Sequence, residues 1–526
     1  MPSFLASRHR AGGLQVVSHS RKSTDLVAGL ILLWLAVPLA VLFHTGYFIP
    51  VALAGALSFI LFIGVMWVLS TDEELNLLTR YMWGVLYLTI SVLLGYAMFS
   101  DFSWAENFVL TEPLTRDRWS LDRMGMIGLV TQLAFGAGML LANARKDHSP
   151  RGQGHGFFEK IAGQLGSRRT EMDIKPFILI AILGVIGYWL MTPKGTILSL
   201  SYEEVLAQQK AGSSFFGGGG GIIYLWSGLL ALVWWDALAT PEHNPSRRLK
   251  VIVALVAAFI VIFVFNFLRG SRTAAGFSVA LFAIYVMKHA NSAGGKGGSL
   301  WKFIRTLAAW RLFICAGTTL FAYYILDYVR SGLADNATDV GMGIEKIPIF
   351  FKNGTWMGAA MTNLVAADTT RDANYVYLMG ETYWEYVLTL PPSIIEQLIG
   401  WERPIGTHTG PAWWFMGYTV GGLSPSVVPF MNFGMWGVIV VLFLEGYFVA
   451  YTENKAQGGG LMWGIAYIEI LCCSMHWFWY GDMYIIRAMM CAVICWGIWK
   501  IASPVAASAM SMPRRAQRRP LAAVGQ

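Results

Sequence analysis

From Asp25 almost to its C-terminus this chain is built of apolar runs about as long as a bilayer is thick, and that repeat limits the fold more than any other feature. A helix needs roughly 20 mostly apolar residues to cross about 30 Å of hydrocarbon. Such runs fall at 25–43, 47–70, 80–100, 124–143, 176–192, 221–238, 250–268, 273–288, 307–328, 429–452, 461–480 and 484–503. Of the 526 residues 56% are hydrophobic and 13% charged, which leaves too little polar surface to solvate so much apolar chain in water. The expected fold is therefore all-α, a polytopic integral membrane protein with about twelve transmembrane helices.

The placement of the basic residues sets the expected orientation. A net charge of +8 in a soluble protein would raise the question of nucleic acid, but here the cations sit beside the apolar runs, where they act as topogenic signals. Arg8, Arg10, Arg21 and Lys22 precede the first run, which has no small-residue cleavage site and reads as a retained span. Lys146, Arg151, Lys160, Arg168 and Arg169 then occupy one connection, Arg247, Arg248 and Lys250 another, and Lys288, Lys296, Lys302 and Arg305 a third; Arg514, Arg515, Arg518 and Arg519 close the tail. All fall on one side of an alternating series that starts with its N-terminus inside, so both termini are expected in the cytoplasm.

Four parts follow from this reading: spans one to nine over 1–328, a large external loop over 329–428, the last three spans over 429–503, and a basic tail over 504–526. The loop lies between the ninth and tenth spans and is far longer than an ordinary connection. Its aromatic residues, Trp356, Tyr383, Trp384 and Trp401 among them, and its short helix-like stretches imply a segment folded against the membrane surface. Earlier in the chain, SYEEVLAQQK at 201–210 reads as a short interfacial helix with a glycine-rich exit at 213–221. The five cysteines all lie in apolar runs without metal-ligand spacing, and no metal or other cofactor is expected.

Three groups of residues point to chemistry. Arg269 and Arg272 sit in a tight turn on the external face, where positive charge is disfavoured. Planar guanidinium forks at a helix mouth suit a diphosphate, with snorkelling to lipid headgroups as the plain alternative. The second group lies in the loop, where Gly380-Glu381-Thr382-Tyr383-Trp384-Glu385 runs to Pro391-Pro392 and Gly400-Trp401-Glu402-Arg403-Pro404, with His408 close behind. Sugar transfer between lipid-linked molecules needs a base for a hydroxyl proton, cations for the leaving diphosphate and aromatic faces for sugar rings, and this loop holds all three residue types. Its candidate bases are His408, Glu381, Glu385 and Glu402; a solvated surface role is the alternative for each. The third group, His476, Asp482 and Arg487, surrounds the last hairpin, where Arg487 reads either as a substrate contact or as the structural partner of Asp482. Gly421-Gly422-Leu423-Ser424-Pro425-Ser426 and Asn432-Phe433-Gly434 precede or enter the tenth span and imply a sharp entry and close helix packing.

In their order along the chain, the Arg-Gly-Ser-Arg turn at 269–272, Gly-Glu-Thr-Tyr at 380–383 and Asn-Phe-Gly-Met-Trp-Gly at 432–437, together with the late external loop, resemble the Wzy-type polymerases of bacterial O-antigens and exopolysaccharides. That family belongs to a superfamily that includes the O-antigen ligases. The resemblance implies a metal-independent glycosyltransferase of the bacterial inner membrane that joins undecaprenyl-diphosphate-linked oligosaccharides at the periplasmic face, among membrane lipid and beside a flippase and a chain-length regulator. Arg269 and Arg272, helped by Arg403, Arg371 and Arg487, would then hold the donor diphosphate, and His408, Glu381 or Glu402 would activate the acceptor hydroxyl. A ligase that transfers finished glycan to lipid A core uses the same donor and face. A lipid-linked oligosaccharide transporter explains many helices without a reaction, but carries no requirement for a long folded loop.

Overall fold

The computed structural model describes residues 48–71, 117–144, 363–371, 375–389, 423–457 and 461–510, with scattered residues from 78 to 94. Six helices are complete among them: α1 (Val51–Thr71), α2 (Arg118–Ala144), α3 (Glu381–Thr389), α4 (Val427–Gln457), α5 (Leu461–Tyr480) and α6 (Met483–Met510). Residues 363–369 and those described between 78 and 94 are helical as well, and no strand is found among the described residues. The all-α expectation holds for this part of the chain. The expected spans at 25–43, 176–192, 221–238, 250–268, 273–288 and 307–328 lie outside the described residues.

Two helices among the described residues, Arg118–Ala144 and Val427–Ala456, are long and apolar enough to cross a membrane. At about 1.5 Å per residue each exceeds the roughly 30 Å that hydrocarbon requires. The outward faces are themselves apolar. Phe433, Trp436, Val440 and Leu444 form an exposed stripe along α4, and Leu53, Phe59, Ile60 and Ile63 are exposed on α1. Water makes such stripes a liability, whereas lipid makes them the natural outer surface.

The described helix boundaries differ from the expected spans for local reasons. α2 starts at Arg118 rather than 124, because the Asp117 carboxylate caps it: Oδ2 accepts from Ser120 N at 3.2 Å and from Ser120 Oγ at 2.6 Å. This cap draws Arg118 and Arg123, which hydropathy leaves outside, into the helix. α6 runs on to Met510, past the expected end at 503.

Contacts at the helix ends fix relative direction. At one end Val51 N donates to Asp122 Oδ1 at 2.7 Å, Phe48 meets Trp119 edge-on at 5.6 Å, and Phe430 lies 5.0 Å from the Arg123 guanidinium. At the other end Glu453 accepts from Leu78 N at 2.7 Å and Thr79 N at 2.9 Å, capping the helical residues that follow, and Asn454 Nδ2 donates to Ala142 O at 3.4 Å. Helices α1, α2 and α4 therefore run in the same direction. Between the two ends Gln132 ties three helices: its Oε1 accepts from Ser58 Oγ at 2.7 Å, and its Nε2 donates to Ser91 Oγ at 2.9 Å and Tyr87 O at 3.1 Å.

The longest shared interface is that of α2 with α4, and glycines make it possible. A Cβ at Gly138 would collide with the Phe443 carbonyl oxygen, and one at Gly446 with the Phe135 carbonyl oxygen, so the two backbones touch where side chains normally intervene. Replacing Gly138 with Val should force α2 and α4 apart at a cost of about 1–3 kcal/mol or more. Thermal scans in detergent should show a lower Tm for this variant, while Gly64→Val, at a site open to added atoms, should leave it near wild type.

Candidate functional site

At the end of the bundle where α1, α2 and α4 begin, a loop segment is strapped onto α4 through a break in that helix. Gly434 has φ 65° and ψ −151°, a conformation that a side chain at this position would strain, and it interrupts the α4 hydrogen-bond ladder. The interruption leaves carbonyls just before it free to accept from elsewhere. Leu378 N donates to Met431 O at 3.2 Å, Met379 N to Asn432 O at 3.0 Å, and Tyr375 Oη to Met431 O at 2.9 Å. The Asn432 side chain completes the strap: its Oδ1 accepts from Gly380 N at 2.9 Å, and its Nδ2 donates to Thr382 Oγ1 at 2.5 Å and to Val428 O at 2.8 Å. One buried amide thus holds the turn that starts α3.

The strap delivers Tyr383 to a pair of buried acids. Its ring stacks on Phe433 with centroids 6.3 Å apart and an 11° interplanar angle, and its hydroxyl donates to Asp482 Oδ2 at 2.5 Å. Asp482, in the turn between α5 and α6, is 1% exposed, and its Oδ1 has no hydrogen-bond partner. Glu445 of α4 is 8% exposed and accepts from Trp477 Nε1 at 3.1 Å. Burial pushes the Asp482 carboxyl up to about 7, against the Tyr383 hydrogen bond and the backbone amides of Asp482 and Met483. Burial, then the Asp482 carboxylate, raises the Tyr383 phenol well above its ordinary value, so it stays a neutral donor.

A cationic group lies at the same end. Arg371 pairs with Asp117 at 2.8 Å, and its guanidinium sits 5.1 Å from the Trp119 ring centre. Arg123 is buried among three rings, at 5.4 Å from Phe48, 4.9 Å from Trp119 and 5.0 Å from Phe430. Its Nη1 reaches Ala367 O at 3.3 Å and Thr370 O at 3.4 Å, which anchors residues 363–371 to α2, while its Nε has no hydrogen-bond partner. Burial pushes the Asp117 carboxyl up, but the Ser120 hydrogen bonds and the Arg371 charge together hold it below its ordinary value. Among the described residues no group of three or more His, Cys, Asp or Glu side chains is arranged to hold a metal ion.

Of the residues singled out from sequence, Arg371 lies half-exposed in this cationic group, and Glu381 is exposed in the first turn of α3, where its charge suits the helix N-terminus. Glu385 lies within α3. Arg487 is on α6 with its guanidinium 5.7 Å from the Tyr484 ring centre. The Asp482 to Arg487 pair weighed from sequence is replaced: Asp482 takes its hydrogen bond from Tyr383 on the loop, because α3 reaches over the α5–α6 turn. His476 falls within α5. Arg269, Arg272, Glu402, Arg403 and His408 lie outside the described residues. Sequence reasoning passed over Arg123 and Glu445, and read Asn432 only as part of a packing motif. An acid inside an apolar run is itself a signal, and by that rule Glu445 merited the attention given to Arg487.

Comparison of the chain with known protein families, with curated proteins and with solved structures finds no match.

Two outcomes follow from this arrangement. Asn432→Ala orphans the Gly380 amide and removes the bond to Thr382, which should cost about 1–3 kcal/mol; limited proteolysis should then cut within 375–389 faster than in wild type. The raised Asp482 carboxyl makes stability fall as pH rises, because the native state binds a proton that the unfolded chain has released. The contribution is complete below the ordinary value of 3.8 and is lost as pH rises through about 7. Unfolding in detergent should show that slope, and Asp482→Asn should flatten it.

Proposed function

We propose that this chain polymerises undecaprenyl-diphosphate-linked oligosaccharide repeat units into a surface polysaccharide or exopolysaccharide at the periplasmic face of the bacterial inner membrane. The observation that carries the reading is the docking of residues 363–371 and 375–389, from the expected external loop, onto the end of the helical bundle. That docking gathers the residue types such a transfer needs. Arg371 offers an accessible guanidinium, Tyr383 and Trp384 lie on the α3 turn with Trp384 exposed, and titratable groups lie directly beneath.

In this reading Arg269 and Arg272, with Arg371 and Arg403, hold the donor diphosphate and stabilise the charge that develops as the glycosidic bond breaks. Arg371 exchanges Asp117 for the incoming phosphate. The loop supplies the group that takes the acceptor hydroxyl proton; the sequence offers His408, Glu381 and Glu402 for that role, and the geometry adds Tyr383 as a rival to them. In the same reading the chain has twelve spans and cytoplasmic termini, and the reaction runs at the outer boundary of the bilayer, where a polyprenyl tail stays in hydrocarbon. Transfer of finished glycan to lipid A core needs the same clamp and differs only in the acceptor.

A second reading, a lipid-linked oligosaccharide transporter, is favoured by the buried carboxylic acids Glu445, Glu453 and Glu469 inside apolar helices. Glu453 is taken up in capping another helix, and translocation has no need of a strapped loop, so polymerisation stands first.

Purified protein supplied with lipid-linked repeat unit should give a ladder of longer lipid-linked products. Transfer only to lipid A core would support the ligase instead, and lipid movement without product the transporter. Arg269→Ala and Arg272→Ala should each abolish the ladder while membrane insertion persists; wild-type activity in both removes them from the mechanism. Cysteine labelling should reach positions 269–272 from outside the cell.

A further inference from the structure

We infer that Tyr383 is the catalytic group that takes the acceptor hydroxyl proton, passing its own proton to Asp482. This inference rests on the polymerase reading above and assigns its base.

Accessibility divides the roles. Asp482 and Glu445 are buried beneath the loop and cannot meet a sugar, whereas Tyr383 is half-buried and forms the boundary between them and the surface. Its hydroxyl proton is committed to Asp482 Oδ2, so the lone pairs of the phenol oxygen remain free to accept from an incoming hydroxyl. The Phe433 stack fixes the ring, and the Asn432 strap fixes the turn that carries it.

A plain structural staple accounts for less of what surrounds the bond. A tyrosine anchoring a loop needs one acceptor, yet two acids are buried here at the same place, and the second oxygen of Asp482 is left without a partner. Burying acids together is unfavourable unless a proton is shared among them. The groups that face Asp482 are Tyr383 from α3, Glu445 from α4 and the neutral Trp477 from α5; the nearest cation on α6, Arg487, is turned onto Tyr484. Among the described residues no cation is bonded to either carboxyl, so a proton is the neutralising charge available. The raised Asp482 carboxyl is also poised near neutral pH, where a general base transfers protons best.

The step balances without any further reactant. The acceptor oxygen attacks the anomeric carbon of the donor as the bond from that carbon to the phosphate oxygen breaks, and its electron pair leaves with the diphosphate. The acceptor's O–H proton moves to Tyr383 Oη while the phenol proton moves to Asp482 Oδ2. Tyr383 ends as it began, a neutral phenol, in keeping with a pKa that burial raises well above the ordinary value. Asp482 ends protonated and releases its proton before the next transfer.

The test measures initial polymerisation rates against pH for the full-length protein in detergent or liposomes, for wild type, Tyr383→Phe and Asp482→Asn. Tyr383→Phe keeps the stack on Phe433 and loses only the hydroxyl. It should lower kcat by roughly 10²–10⁴-fold with little change in KM for the lipid-linked acceptor. Wild type should show a rate that rises with pH through about 7, and Asp482→Asn should abolish that limb along with most of the rate. A Tyr383→Phe protein that polymerises at the wild-type rate, or loses product through KM alone, overturns the relay while the polymerase reading stands. Should either variant fold poorly, the wild-type profile decides: a rate independent of pH across that range overturns the relay as well. Absence of any ladder from wild-type protein strikes the polymerase reading itself and takes the relay with it.

Discussion

The break in α4 at Gly434 is the constraint on which the described site depends. A transmembrane helix normally satisfies every carbonyl along its own ladder and offers nothing for another segment to bond. By turning out of helical geometry at one residue, α4 exposes the carbonyls of Met431 and Asn432, and an extended stretch of loop backbone takes them. Everything that distinguishes this end of the bundle follows from that strap. It sets the position of α3, the position of α3 sets Tyr383, and Tyr383 covers the two acids.

The α2–α4 contact supplies the rigidity that such a strap needs. Because Gly138 and Gly446 let the two backbones touch, α4 is held against α2 along its length, and the kink bends the free end rather than the whole helix. The same closeness brings Arg123 of α2 beneath Phe430 of α4, where its guanidinium fastens residues 367 and 370 of the loop. The loop is therefore fixed twice, to α4 by backbone and amide bonds and to α2 by a caged arginine. Two such anchors on different helices define a surface, which one anchor cannot.

Much of this architecture was legible in the residues. Apolar runs located α1, α5 and most of α2, α4 and α6, because length and hydropathy alone decide what can lie in lipid. The glycines around 434 were read as a sharp membrane entry and close helix packing; the structure shows a backbone break at Gly434 that the loop fills, and the close helix packing lies at Gly138 and Gly446. The cap on α2 was missed: Asp117 and Ser120 act through local backbone geometry, which a hydropathy window averages away. The partner of Asp482 was mistaken for a similar reason. Arg487 is its nearest opposite charge along the chain, yet Tyr383, ninety-nine residues earlier in sequence, is its neighbour in space. Asparagine and glycine at 432–434 drew notice as a packing motif, but neither the break in the helix nor the segment that fills it was legible.

Charge placement also separates the two ends of the bundle in kind. At the end where Glu453 sits, the acid is fully occupied, accepting from two backbone amides and a threonine hydroxyl, and such a group has no capacity left for chemistry. At the opposite end Asp482 keeps an oxygen unbonded, Arg123 keeps a nitrogen unbonded, and Arg371 is tied to a single half-exposed carboxylate. Buried polar atoms are almost always satisfied, yet Trp83 Nε1, Asn143 Nδ2 and Thr452 Oγ1 toward the Glu453 end lack partners too, so what sets the strapped end apart is that its unpaired atoms belong to ionisable groups, Asp482 and Arg123. The transfer proposed above, which must grip a diphosphate and move one proton, would draw on Asp482 and Arg371, both at the end onto which the loop is strapped.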